Sequence, residues 1–124
     1  MSLLARLKAG FAKPYDEVDP VEADRLVREG AVLLDVREPF EWRSGHAPKA
    51  RHIPLGDLAR RVRELPPGKH VVVVCRSGNR SARAAAALAQ AHDRSASNLR
   101  GGMRAWAAAG LPVVGKGGRP GSVV

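Results

Sequence analysis

The chain has a single cysteine, Cys75, so it can form no intramolecular disulfide and no cysteine-based metal cluster. Its four histidines, His46, His52, His70 and His92, are spaced neither as HExxH nor as a finger motif, and no metal site is read from them. Aromatic residues make up only 4% of the chain, and they do not interleave with basic residues as on an RNA-reading sheet. No apolar run approaches the roughly 20 residues needed to cross a membrane. The opening "MSLLARLKAGFAKP" lacks a continuous apolar stretch and a small-residue cleavage site, so it reads as mature protein with the cytoplasm as default compartment. Acidic side chains are in deficit, 12 against 21 Lys plus Arg, which leaves a net charge of +9. Such a field favours anionic partners. The arginines are dispersed, so nucleic acid is not implied, and a small anionic substrate uses the same field without any further motif.

What remains is an ordinary globular composition, 44% hydrophobic and 27% charged, in 124 residues, a length suited to one domain. In "PVEADRLVREG" the apolar Val21, Ala23, Leu26 and Val27 have helical spacing, ended by Gly30. "AVLLDVR" is a short apolar run that predicts a buried strand. "EPFEWRSGH" predicts a loop or short helix, and "RHIPL" a brief strand stopped by Pro54. "LGDLARRVREL" places Leu55, Leu58, Val62 and Leu65 on one helical face, ahead of Pro66 and Pro67. "HVVVVC" is the strongest strand signal, "SARAAAALAQAH" the strongest helix signal, and "SASNL" a weak strand poor in β-branched residues. "MRAWAAAG" predicts a last helix. Residues 1–13 read as an N-terminal extension with a weak Leu3, Leu4, Leu7 pattern, residues 14–114 as the domain, and the glycine-rich residues 115–124 as a flexible tail. Strands without in–out alternation that alternate with helices imply an α/β fold with a mainly parallel sheet, whose ligands bind at the carboxyl ends of the strands. Cys75 sits at such an end.

The stretch "VVVVCRSGNRSARAAAAL" combines a buried strand, a polar loop and a helix. That sequence of elements points backbone N–H groups toward the loop's centre at a helix N-terminus, where an anion is favoured. A thiol placed there has its pKa lowered, and the anion it holds is its own thiolate. Gly78 supplies a residue able to take positive φ, and Asn79 tolerates the left-handed region. Arg76 and Arg80 add charge and forked donors. Ser81 either caps the helix or donates to the sulfur. An inert buried cysteine has no need of the polar "RSGNR" behind it. For His46 and His52, which flank a proline-containing loop, structural roles are expected.

Three segments in order, "LLDVREPFEWRSGHAPKARHIPL", "VVVVCRSGNRSARAAAAL" and "NLRGGMRAWAAAGLPV", resemble the signatures of a single-domain rhodanese over residues 15–114. The resemblance implies a three-layer α/β fold around a mainly parallel five-stranded sheet, and a cysteine that carries sulfane sulfur as a persulfide. Sulfur comes from a donor such as thiosulfate and passes to cyanide or a thiol. By the same resemblance Cys75 is the catalytic residue, and Arg76, Ser77, Gly78, Asn79, Arg80 and Ser81 form the substrate-binding loop. Asp35 and Arg37 of "DVR" match polar anchors that support it. Ala47 and Lys49 stand where the family commonly has Ile and Gly, and "SASNL" is less apolar than the usual last strand. No cofactor and no metal are implied.

The fold also resembles cysteine phosphatases and arsenate reductases, whose loop is one residue longer to encircle a tetrahedral oxyanion. From Cys75 through Arg80 the loop has six residues, which suits a single sulfur atom. With no second cysteine, the acceptor thiol comes from outside. Two alternatives stay open: a non-catalytic binding or regulatory module, which often lacks the cysteine, and sulfur delivery to a protein or tRNA partner.

Overall fold

A computed structural model describes residues 13–124, so the predicted N-terminal extension lies outside the described residues except for Lys13. Five strands, β1 (Asp16–Val18), β2 (Val32–Asp35), β3 (Arg51–His52), β4 (Val71–Val74) and β5 (Ala96–Leu99), form one sheet in the order β1-β5-β4-β2-β3. Every pairing is parallel. The helices are α1 (Pro20–Arg28), α2 (Pro39–Ser44), α3 (Leu58–Arg61), α4 (Asn79–Ala91) and α5 (Gly102–Ala108). This is the α/β architecture expected from uninterrupted apolar strands.

The core lies in two layers, one on each face of the sheet. On one face Leu34, Val71 and Val73 pack with Ala84, Ala85 and Leu88 of α4 and with Ile53, Leu58 and Leu65. On the other, Leu33, Val72 and Val74 pack with Ala23 of α1 and with Met103 and Trp106 of α5. All four valines of β4 are fully buried, and each contributes about 1.5–3 kcal/mol relative to an exposed side chain. Alternate valines serve opposite faces, so β4 is rigid where it hands the chain to Cys75. In α4 the alanines let the helix lie close against the sheet.

Several elements differ from the sequence reading. β1 has no counterpart in it, because "DEV" is three residues long and two of them are charged. β5, read from the sequence as a weak strand, is an inner strand between β1 and β4; its four residues are all buried. Its polar side chains are satisfied, Ser97 Oγ lying 2.7 Å from His70 Nε2. The helix expected over "LGDLARRVREL" is broken into a 3₁₀ turn, the four-residue α3 and another 3₁₀ turn. Gly56 within its first turn and Pro66-Pro67 beyond its end disfavour a longer α-helix. Asn79 opens α4 as an ordinary helical residue and does not use the left-handed region; the non-glycine residue with positive φ among the described residues is Asp93.

The segment read as a flexible tail has definite contacts. His46 and Val114 form an antiparallel bridge, as do Val114 and Pro120. Ser122 N donates to Ser44 O at 2.8 Å, and Arg76 Nε donates to Val124 O at 2.8 Å. The glycines cause this docking as much as they permit mobility. A Cβ on Gly121 would lie 2.7 Å from Gly45 Cα, and one on Gly45 would lie 2.5 Å from Ser122 O. Only glycine lets the two backbones meet.

Candidate active site

Cys75 follows β4 directly and begins the turn into α4. Its side chain is almost fully buried. Gly78, with φ of 110°, caps α4 in the left-handed region, where a residue without Cβ is favoured. This turn aims Gly78 N at Cys75 Sγ, 3.1 Å away. The first turn of α4 then brings Ser81 Oγ to 3.2 Å from the same sulfur. Ser81 therefore lies inside the helix rather than capping it, and of the two roles open to it the bond to sulfur is the one observed. Burial alone raises the thiol's pKa. The Ser81 hydroxyl and the N–H groups of Ser81, Gly78 and Ser77 outweigh it and hold Cys75 below the value of a free thiol.

The loop's carbonyls are turned away from the sulfur by α5. Met103 N donates to Cys75 O at 2.7 Å and Arg104 N to Arg76 O at 3.1 Å. Gly102 makes this approach possible, since a Cβ there would sit 2.5 Å from Cys75 O and Arg76 O. The first N–H groups of α5 and the carbonyls of the loop thus satisfy each other. What is left facing inward is a set of N–H donors.

Arg80 is held by a residue that local sequence does not connect to it. Glu41 of α2 accepts from Arg80 Nη1 at 2.6 Å and from Arg80 Nη2 at 2.9 Å. Glu41 Oε1 also accepts from Glu38 N, 3.0 Å away. The Arg80 guanidinium holds the Glu41 carboxyl below its ordinary range against the opposing effect of burial. Arg80 therefore supplies charge near Cys75 with its fork already engaged.

Asp35 and Arg37 are both fully buried and form an ion pair, with Arg37 Nη2 2.7 Å from Asp35 Oδ2. Arg37 Nη2 also donates to Gly45 O, and His52 Nε2 lies 2.7 Å from Arg37 O. Trp42 stacks on His46 at 3.6 Å and on His52 at 4.8 Å. These residues fix the segment that carries Glu41 and touch no part of the sulfur. Ala47 is buried in the core, and Lys49 is exposed.

Behind the loop stands Asn98 of β5, a buried polar residue that the sequence reading did not single out. Its Oδ1 lies 2.6 Å from Ser81 Oγ, while its Nδ2 lies 3.0 Å from Glu17 Oε2 and 3.3 Å from Gly78 O. Two hollows border the loop, one lined by Ser77, Gly78, Asn79 and Arg100 and the other by Glu38, Leu55, Arg80 and Arg83. Both carry arginine, which suits an anionic substrate. A separate, mostly apolar hollow lined by Val27, Leu33, Ala47, Trp106 and Pro112, with Asp24 and Lys49 among its other residues, shares no residue with the cysteine loop.

The sequence and the fold that carry this site have counterparts among known proteins. Residues 19–109 match the Rhodanese-like domain family. A sulfurtransferase from Allochromatium vinosum is 43% identical over 86 residues, covering 69% of this chain and 80% of that protein. The thiosulfate sulfurtransferase GlpE of Pseudomonas syringae is 36% identical over 92 residues, covering 74% and 87%. A rhodanese-related protein from Thermoplasma volcanium has the same fold, with a TM-score of 0.75 and 32% identity, covering 81% of this chain and 98% of that one. On its sequence, its sheet and the match over residues 19–109, the chain belongs to the rhodanese-like domain family.

Proposed function

We propose that this protein is a cytoplasmic sulfurtransferase that moves sulfane sulfur from thiosulfate or a related anionic donor to an external thiol or to cyanide. The observation that carries the reading is Cys75 Sγ at the focus of Gly78 N and Ser81 Oγ, with its ionisation favoured. The Cys75 thiolate attacks the outer sulfur of thiosulfate. A bond forms between the two sulfurs, the outer sulfur's bond to the sulfonate sulfur breaks, and sulfite leaves with the electron pair. The negative charge now rests on the outer sulfur of a Cys75 persulfide, held by inward N–H groups. An acceptor thiolate, or cyanide, attacks that outer sulfur and returns Cys75 to thiolate. Cys75 is the single thiol of the chain, so the acceptor thiol comes from another molecule. Ser77, Gly78 and Ser81 line the sulfur's seat, Arg76, Asn79 and Arg80 shape its rim, and Asp35 and Arg37 support the neighbouring segment.

Two features favour sulfur over a tetrahedral oxyanion. The loop has six residues from Cys75 to Arg80, and the Arg80 fork is already bound by Glu41 rather than free to clamp oxygens. The activated thiol likewise argues for chemistry over a purely binding role. Replacing Cys75 by Ser should abolish thiosulfate:cyanide sulfur transfer and leave the fold unchanged by circular dichroism; substantial transfer by the folded variant would refute the assignment.

A further inference from the structure

Ser81 has one hydroxyl hydrogen and two acceptors within reach. Cys75 Sγ lies 3.2 Å away and Asn98 Oδ1 lies 2.6 Å away. The orientation of the Asn98 amide follows from its other contacts. Glu17 presents a carboxylate oxygen and Gly78 a carbonyl, both acceptors, so the nitrogen of Asn98 must face them and its oxygen must face Ser81. Both hydrogens of Nδ2 are then used, and Oδ1 depends on the Ser81 hydroxyl for its hydrogen bond. Asn98 and Ser81 are both buried, so bulk water cannot readily replace a lost donor.

We propose that Asn98 is a positioning residue for the reactive sulfur, which acts through Ser81 by competing with Cys75 for its hydroxyl hydrogen. The inference rests on Cys75 being the reactive thiol, although its test requires no sulfur transfer. While Cys75 is a neutral thiol, Ser81 donates to Asn98 and its oxygen is free to accept from the S–H. When the thiol proton leaves to solvent, the hydroxyl rotates, and its hydrogen turns from Asn98 Oδ1 to the thiolate. No O–H bond is broken. When the charge later moves to the outer sulfur of a persulfide, the hydrogen is free to return. Asn98 thus holds a donor in reserve and limits how far the resting thiolate is stabilised, which preserves its nucleophilicity.

This assignment fixes the sign of an effect. Replacing Asn98 by Leu, which has nearly the same shape, removes the competing acceptor and frees Ser81 for the thiolate. The midpoint of Cys75 alkylation by iodoacetamide against pH should move down. At a pH well below the wild-type midpoint the thiolate fraction should rise about threefold, the effect of half a unit of acidity, and the alkylation rate constant about twofold, because the better-stabilised thiolate is the weaker nucleophile. Other consequences of the substitution act the opposite way. A loosened Gly78 carbonyl weakens the loop's hold on sulfur, and the Glu17 carboxylate on β1, which loses its Asn98 partner but stays paired with Lys13, remains a nearby negative charge. The other charged groups around the site are unchanged: Arg76 in the loop, Arg80 and Arg83 on α4, Arg100 after β5, Glu38 and Glu41 at α2, and the Asp35–Arg37 pair at the end of β2.

Asn98→Ala provides a second variant with the same expected sign. Ser81→Ala should move the midpoint up, and in that background substituting Asn98 should no longer lower it. In the native protein the side-chain carbonyl carbon resonance of Asn98 should titrate with the Cys75 midpoint, an observation independent of any variant's folding. A midpoint that stays or rises in the folded Asn98 variants would overturn the proposal, as would a lowering that persists without Ser81 or a native Asn98 resonance indifferent to Cys75 ionisation.

Discussion

At the scale of single residues, Gly78 decides whether the seat exists. Its φ of 110° orients its own N–H at the sulfur, and a β-branched side chain pays about 1–3 kcal/mol to stay in such a conformation. Nothing severe blocks a Cβ there, since the nearest atom would be Gly101 N at 3.4 Å. Gly78→Val should therefore reduce sulfur transfer far more than stability, as read from steady-state rates beside the thermal midpoint; wild-type rates would show that the left-handed turn is dispensable. Glu41 has a different signature. Its carboxyl is held below the ordinary value of 4.5, first by the hydrogen bond from Arg80. A depressed carboxyl contributes stability above its unfolded pKa and loses it as pH falls through the folded one. Glu41→Gln should thus be less stable than wild type at neutral pH and converge with it in acid, in denaturation curves taken from pH 7 to pH 3. A constant difference across that range would contradict the assigned pair. Local sequence made Cys75, Gly78 and Ser81 legible because strand, turn and helix place them together within seven residues. Glu41, Asn98 and Glu17 were not legible. They reach the loop across 39 residues from Arg80, 17 from Ser81 and, for Glu17, 81 from Asn98, separations at which no periodicity carries a signal.

At the scale of elements, the site is a product of packing more than of the loop alone. β4 supplies a rigid base, α4 the donors, and α5 takes the carbonyls of Cys75 and Arg76. The alternation of apolar runs and helical patterns made most of this order readable. β1 escaped because a short charged edge strand lacks an apolar pattern, and β5 was underrated because its Ser97 and Asn98 are buried by specific hydrogen bonds. The contacts of the C-terminal segment escaped the sequence reading for a related reason. Glycine content signals freedom in an isolated chain, whereas here Gly45 and Gly121 permit a contact between backbones. Gly121→Ala should break the seam. The Ser122 amide, bonded to Ser44 O, should lose protection in hydrogen exchange while amides of β4 keep theirs. Unchanged protection at Ser122 would show that the seam tolerates a methyl group.

At the scale of the whole molecule, the parallel sheet gathers the carboxyl ends of its strands on one side, and Cys75 emerges there with buried side chains around it. Many of the acidic residues are paired within the chain, including Glu22 and Asp24 on α1 and Glu29 just after it, Asp57 and Glu64 around α3, and Asp35 and Glu41 near the site. The excess of +9 is left to act on incoming anions. No helix among the described residues is long and apolar enough to cross a membrane. All of these features bear on one claim, that Cys75 accepts a single sulfur atom and keeps it until an acceptor arrives. Intact-protein mass spectrometry after incubation with thiosulfate tests it most directly. The protein should gain the mass of one sulfur atom and lose it again on addition of cyanide, while Cys75→Ser gains nothing. A wild-type mass that is unchanged by thiosulfate and by other sulfane donors, in protein whose Cys75 is shown to be reduced, would contradict the account.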